Sequence, residues 1–252
     1  ISAGELPRVE VTQGSAVEIS TGAVMPKGAS AVAMVEYAEV KKEKDLLIKK
    51  AVSPSENVMS AGSDIMVGEL VLRKGTRLGS REIGVLAAIG SEKARVYKLP
   101  VVGIISTGSE LISPREKLKT GKIYDTNSYS IGAAVQEIGG VPEYFGIVGD
   151  DLGEISRVLK MASQKCDIIL ASGSTSAGTG DVMYKIIGRD GRLLIHGINI
   201  KPGKPTIIGM YKGKPFFGLP GYPTSCLTIF NLFVAPLIRK MAGVAESRED
   251  FE

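Results

Sequence analysis

The stretch that most restricts how this chain can fold is Ile168-Ile169-Leu170-Ala171, an unbroken apolar run that gives way at once to Ser172-Gly173-Ser174-Thr175-Ser176-Ala177-Gly178-Thr179-Gly180-Asp181. A strand with no polar alternation has no face to offer water, so it must be covered on both sides. The loop that follows is built from small residues, which leave backbone amides open to an approaching phosphate or oxyanion. The hydroxyls of Ser172, Ser174, Thr175, Ser176 and Thr179 add neutral donors, and Asp181 supplies a carboxylate. Further on, Lys201-Pro202-Gly203-Lys204-Pro205 places two cations on a stiff turn. Together these segments read as an anion site with an acid beside it.

The same alternation of buried strand and helix runs from Pro100 onward. Val101 to Ser106 is a second continuous apolar run. Asn127 to Ile138 is expected as a helix, Tyr144 to Val148 as a strand, and Leu152 to Gln164 as a helix with Leu152, Ile155, Val158, Leu159 and Ala162 on its apolar face. A helix opens at 182–187, strands follow near 193–198, 206–210 and 215–219, and Ser225 to Met241 closes the region as one helix. This order predicts a doubly wound, mostly parallel α/β sheet, whose ligands sit beyond the carboxyl ends of the strands.

The first part of the chain reads differently. Val9 to Val11, Ala16 to Ile19 and Ala31 to Tyr37 alternate as short strands, and a charged hairpin tip at 41–45 turns back into Leu46-Leu47-Ile48. So short a β unit has a thin core and is expected to lean on something else. Residues 50–98 read as a connector, with a short strand at Leu70 to Leu72, a helix from Ser80 to Gly90 and a further strand from Glu92 to Tyr97. Ser80 is the expected N-cap and Gly90 the C-terminal glycine.

Composition excludes several classes. A net charge of +4 over 252 residues is too small to imply nucleic acid. No apolar run approaches the roughly 20 residues that span a bilayer, and no signal peptide is evident. Cys166 and Cys226 stand apart in apolar settings, as buried thiols of a reducing cytosol do. The one histidine, His196, has no partner for a metal or triad site. No GxGxxG follows a first strand, which argues against a dinucleotide dehydrogenase.

Other strand-end segments are also polar. Ser106-Thr107-Gly108-Ser109-Glu110 offers hydroxyls, an open amide and a carboxylate. Asp150-Asp151 suits a helix N-terminus, where negative charge meets the dipole, or alternatively turns one carboxylate toward a metal held on phosphates. Gly218 to Ser225 is a proline- and glycine-rich turn that opens the last helix. Magnesium prefers such oxygen ligands, and Asp181, Glu110 and one of Asp150 or Asp151 are its candidates.

These motifs together resemble the molybdopterin molybdenumtransferase family, of the MoeA and gephyrin E-domain type. The resemblance is carried by STGSEL at 106–111, GKIYDTNSYS at 121–130, the acids at 149–151, ASGSTSAGTGD at 171–181, IKPGKP at 200–205 and GLPGYPTS at 218–225. Upstream, 17–36, 56–65 and VLAAIG at 85–90 look like the family's second and linking domains. Ser174 and Tyr222 stand where a glycine and an asparagine are usual.

The resemblance implies a small β domain at 1–49, a linking domain at 50–98, a three-layer α/β molybdopterin-binding domain at 99–243, and a tail or the start of a further domain at 244–252. It implies a fragment without the family's N-terminal segment and most of its C-terminal domain. The implied activity is insertion of molybdate, or tungstate, into adenylylated molybdopterin with release of AMP, assisted by Mg2+. Asp181, Glu110 and Asp151 would be the catalytic and metal-binding acids. Thr107, Gly108, Ser174, Ser176, Gly178, Lys201, Lys204, Pro205, Pro220, Pro223, Ser225 and Thr21 would contact the pterin phosphate or the oxyanion, or shape the pocket. A cytoplasmic homodimer is implied, with an adenylyltransferase of the same pathway as partner and no nucleic acid or membrane. Two rivals remain open: a non-catalytic binding or scaffold module, and a nucleotide pyrophosphatase on the same α/β domain.

Overall fold

The computed structural model describes residues 1–42, 45–173 and 180–244. The chain divides into two compact units, Ile1–Val71 and Leu72–Glu252.

The first unit has little regular structure. Strand β1 (Ala38–Lys42) pairs antiparallel with β2 (Asp45–Ile48), Ala38 opposite Ile48, so the expected hairpin forms. The strands expected at 9–11, 16–19 and 31–37 do not. The first reduces to a single bridge between Glu10 and Lys27, and Val35–Tyr37 is one 3-10 turn. An extended segment becomes a strand only when a neighbour takes up its backbone groups. Here isolated bonds to distant segments take up some of them without a ladder: Val11 N donates to Lys27 O at 2.8 Å, Val32 N to Glu56 O at 3.1 Å, and the N-terminal ammonium to Glu18 O at 2.7 Å. The thin core is as expected: among the described residues of this unit only Pro26 is buried.

In the second unit, helix α1 (Ser80–Ala88) forms as expected, but its N-cap is Gly79 rather than Ser80. Glu82 reaches back to accept from Gly79 N at 2.8 Å, one half of a capping box. Gly90 follows with φ +72°, the left-handed exit of a helix. No strand forms at 70–72 or 92–97. Tyr97 instead lays its ring against Gly243, with the Lys74 ammonium 6.0 Å above the ring centroid.

The rest of this unit is built on a six-stranded sheet. Its strands are β3 (Val101–Thr107), β6 (Val141–Val148), β7 (Ile168–Ser172), β8 (Gly191–His196), β9 (Ile207–Tyr211) and β10 (Lys214–Leu219). The order across the sheet is β6-β3-β7-β10-β9-β8. The first four are mutually parallel, and β9 and β8 add an antiparallel pair at the far edge. A separate two-stranded ribbon, β4 (Leu111–Ile112) and β5 (Ile123–Tyr124), lies between β3 and helix α2 (Asn127–Glu137) in the chain.

Helices cover both faces, and strand alternation says which residue faces which layer. Val102, Ile104, Ile168, Leu170, Phe217 and Leu219 pack with α2 and with the C-terminal helices. Ile105, Ile169, Ala171 and Phe216 pack on the opposite face, against α3 (Leu152–Lys165) and α4 (Gly180–Asp190). Ile155, Val158, Leu159 and Ala162 of the stripe that the spacing predicts are buried, whereas Leu152, the first residue of α3, is exposed, because it stands at the helix start beyond the layer the helix covers. The doubly covered strands are therefore the continuous apolar runs of the sequence. Burying each such side chain fully contributes about 1.5–3 kcal/mol.

The helix expected from 225 to 241 is not one uniform helix. It runs as α5 (Pro223–Ile229), a π segment (Phe230–Val234) and α6 (Ala235–Met241). Pro236 gives the reason: it donates no N–H, and its ring would clash with the carbonyl one turn back in regular helix. The wider turn, in which Ala235 N donates to Phe230 O, makes room for it.

Leu170 is fully buried in the α2 layer. Leu170→Ala is expected to lower the unfolding free energy by about 2–5 kcal/mol, measured by denaturant titration.

Candidate functional site

Parallel register brings the polar segments to one edge of the sheet. Thr107 ends β3 opposite Val148, the end of β6. Ser106 of β3 lies opposite Ser172, the end of β7, and Leu219, the end of β10, also lies opposite Ser172. His196, the end of β8, lies opposite Ile207, and Ile207 opposite Gly218. The segments that follow these five ends, beginning at 108, 149, 173, 197 and 220, therefore leave the sheet on the same side.

The turn after β3 is tight. Thr107 is buried and donates from Oγ1 to Ser172 O at 3.0 Å, tying two strand ends together. Gly108 donates from its amide to Val148 O at 3.3 Å. Glu110 is exposed, yet its carboxylate folds back over this turn: a Cβ on Gly108 would lie 2.7 Å from both of its oxygens. The backbone at Ser109 accepts from Lys122 Nζ, so a cation stands beside the same turn. Lys122 was not singled out in the sequence, although it lies in the 121–130 motif.

After β6, Asp151 caps α3, accepting from Glu154 N at 2.8 Å through Oδ1. This is the helix-terminus role that the sequence allowed for this acid, and it leaves Oδ2 for another partner. After β7, Gly173 has φ +99°, and a Cβ there would sit 2.1 Å from Thr107 O. No other residue fits that crossing. Ser174, Ser176 and Gly178 lie outside the described residues. Asp181 is in the first turn of α4 by its backbone, and its side chain is not described.

The turn after β8 is closed by its own backbone. Gly197 N donates to Thr206 O at 2.8 Å and Ile198 N to Lys204 O at 3.0 Å, while Thr206 Oγ1 donates to Gly203 O at 2.7 Å. Gly203 is buried so close to α5 that a Cβ there would meet Ile229 Cδ1 at 2.5 Å. With its glycine pinned to the core, the turn holds Lys201, Lys204 and Pro205 outward and exposed. After β10, Pro220 is buried, Pro223 is the exposed first residue of α5, and Ser225 is buried. Thr21 is an exposed turn residue of the first unit and belongs to none of these segments.

One acid at this edge escaped sequence reasoning. Asp125 is 5% exposed and carries three hydrogen bonds. It accepts from Ser106 Oγ at 2.7 Å, Ser128 Oγ at 2.6 Å and Ser128 N at 3.1 Å. A buried carboxylate is tolerable only with such donors around it. The network fastens the end of β3 to the start of α2. The signal was present: Asp-Thr-Asn-Ser ahead of an apolar run is a helix-start pattern. Asn127 extends the fastening, its Nδ2 donating to Gly221 O at 2.9 Å.

Cys226 lies under this network, fully buried. Burial first, and then the Asp125 charge, push its thiol up to about 12. Burial, with the charges of Glu143 and Asp167, pushes Cys166 up to about 11. Neither is a nucleophile at neutral pH.

The open amide expected at 106–110 is not found at Gly108, whose N–H is taken by Val148 O. Chemically the edge combines exposed ammonium groups and carboxylates, the mixture that holds a phosphate-bearing ligand together with a hard cation. Comparison with known proteins bears on what that ligand is. A family model described as a probable molybdopterin binding domain matches residues 103–240, and one described as the MoeA N-terminal region, domains I and II, matches residues 1–90. A putative molybdopterin biosynthesis protein of Methanocaldococcus jannaschii is 37% identical over 89% of this chain and 58% of its own length. A molybdopterin molybdenumtransferase of Staphylococcus epidermidis is 35% identical over 96% of this chain and 58% of its own. The crystal structure of a MoeA molybdopterin biosynthesis protein of Pyrococcus horikoshii superposes with a TM-score of 0.78 at 42% identity, covering 96% of this chain and 61% of that one. The chain thus spans about 58% of the length of these curated relatives.

The Cys226 thiol supplies a check on this edge, and Cys166, ahead of β7, one on the opposite end of the sheet. Both cysteines should resist a disulfide reagent at pH 8 in the native protein and react once it is denatured. The sign of the pH dependence is fixed as well. The unfolded Cys226 thiol ionises near its ordinary 9.0 and the folded one near about 12, so its contribution to stability is complete below pH 9 and declines as pH rises from 9 toward 12. Thermal melts across that range read the decline.

Proposed function

The chain belongs to the MoeA family of molybdopterin biosynthesis proteins, and from that premise we propose that its strand-end edge binds adenylylated molybdopterin and takes part in inserting molybdate or tungstate with release of AMP. The observation that carries this reading is the convergence of five strand-end segments, with Lys201 and Lys204 held outward by a turn pinned on Ile229. The relatives named molybdopterin molybdenumtransferase support the reaction class.

Cleaving a phosphoanhydride asks a protein mainly for positioning and charge stabilisation. Lys201 and Lys204 act as point charges on the phosphates or on the oxyanion. Thr107 and Gly108, bonded to Ser172 O and Val148 O, hold the first turn in place, and Ser174, Ser176 and Gly178 are assigned as further contacts of the anion. Pro205, Pro220, Pro223 and Ser225 shape the walls. Glu110 and Asp151, oxygen donors on adjacent strand ends, together with Asp181, fit a hard divalent cation such as Mg2+, which when bound would neutralise charge on the anhydride. Activity as a homodimer in the cytoplasm, fed by an adenylyltransferase, completes the proposal.

Two variants test it. In a full-length protein, Asp181→Ala should slow adenylyl cleavage by about 10²-fold or more without lowering the melting temperature. Lys204→Ala should weaken calorimetric binding of adenylylated molybdopterin by roughly ten-fold. Unchanged rates and affinities in folded variants would contradict the assignment.

A further inference from the structure

Two side-chain atoms near the strand-end edge are buried without a hydrogen-bond partner among the described residues: Asn127 Oδ1 and Ser172 Oγ. Their residues are 7% and 2% exposed. An unpaired buried polar atom has given up its hydration for nothing, and native structures keep few of them.

Both atoms belong to the same layer. Ile168 and Leu170 of β7 face the α2 side of the sheet, and the period of two puts Ser172 on that side as well. Ser106 stands in the same relation to Ile104, and its hydroxyl reaches Asp125 just ahead of α2. Asn127 opens α2 and is tied to Gly221. Gly221 in turn lies against Gly173, since a Cβ on it would be 3.3 Å from Gly173 Cα. Asn127 and Ser172 thus flank one place, between the end of β7, the start of α2 and the turn after β10.

The chemistry of that place differs from that of the lysine turn. Asn127 Nδ2 donates to Gly221 O, and reversing the amide would set two acceptors face to face. Its Oδ1 therefore accepts only. A fully ionised phosphate or metal oxyanion carries only acceptors and cannot satisfy it; an N–H donor on the edge of a heteroaromatic ring, within the ring or as an exocyclic amino group, can. Ser172 Oγ can donate to the ring nitrogen or carbonyl that stands beside such an N–H.

We propose that Asn127 and Ser172 read the N–H-bearing edge of a heteroaromatic ring, while the lysine turn holds the charged end of the same ligand. This inference rests on the pterin reading above. Two rings of adenylylated molybdopterin carry such an edge, the pterin and the adenine, and the experiment separates them.

Wild type, Asn127→Ala and Ser172→Ala are titrated calorimetrically with molybdopterin, with AMP and with inorganic pyrophosphate. Both variants should bind one of the two ring ligands roughly ten- to hundred-fold more weakly, the usual cost of unpairing a buried hydrogen bond, with pyrophosphate affinity unchanged. Ser172→Ala should melt no lower than wild type, because its hydroxyl has no partner among the described residues to lose. Weakening of pyrophosphate to the same extent, unchanged affinity for both rings, or a lower melting temperature for Ser172→Ala would overturn the inference. If the variants match a wild type that binds molybdopterin, the inference falls alone. If wild type binds neither ring ligand, the pterin reading falls with it.

Discussion

The parallel alignment of β3, β7 and β10 is the constraint on which the candidate site depends. Each strand is buried on both faces, so none can slip by one residue without turning its apolar set toward the wrong layer. With register fixed in that way, Thr107, Ser172 and Leu219 end at a common line, and the chain must leave the sheet there. The apolar core thereby sets where the polar segments gather. The short bonds across that line, Thr107 Oγ1 to Ser172 O and Gly173 N to Leu219 O, are consequences of it.

A second tier of interactions fixes the segments themselves. Asp125 gathers Ser106 and Ser128, Asn127 holds Gly221, and Gly203 seats the lysine turn on Ile229. Each includes a tie from a loop to an element distant in the chain, as from Asp125 to Ser106 and from Asn127 to Gly221. That suits a site whose donors must be in place before ligand arrives, since orienting them afterwards would cost binding energy. Asp125 is a buried charge with its hydrogen bonds made within the protein, whereas Glu110 and Asp151 are exposed. The first therefore positions, whereas the other two are the acids that the proposed reading assigns to a cation.

Much of this was legible in the sequence because it rests on local signals. Continuous apolar runs gave the buried strands, the stripe of Ile155, Val158, Leu159 and Ala162 gave α3, and small-residue loops after the strands gave the site edge. What escaped depends on partners distant in the chain. The alternating segments at 9–11, 16–19 and 31–37 have strand composition but no neighbour that pairs with them in a ladder, and composition cannot show that. Asp125 read as part of a motif and not as a buried acid, because its burial comes from Ser106, nineteen residues away in the chain. Pro236 marked the break in the last helix, but the pattern of apolar residues runs through it unchanged.

The central claim is that the strand-end edge is the ligand site, and hydrogen exchange of the backbone amides tests it most directly. Adding adenylylated molybdopterin with Mg2+ should slow exchange at 107–110, 172–173, 201–204 and 220–222, and leave the outer faces of α3 and α6 unchanged. Protection confined to those helix faces or to the first unit, with none at the strand ends, would contradict the account.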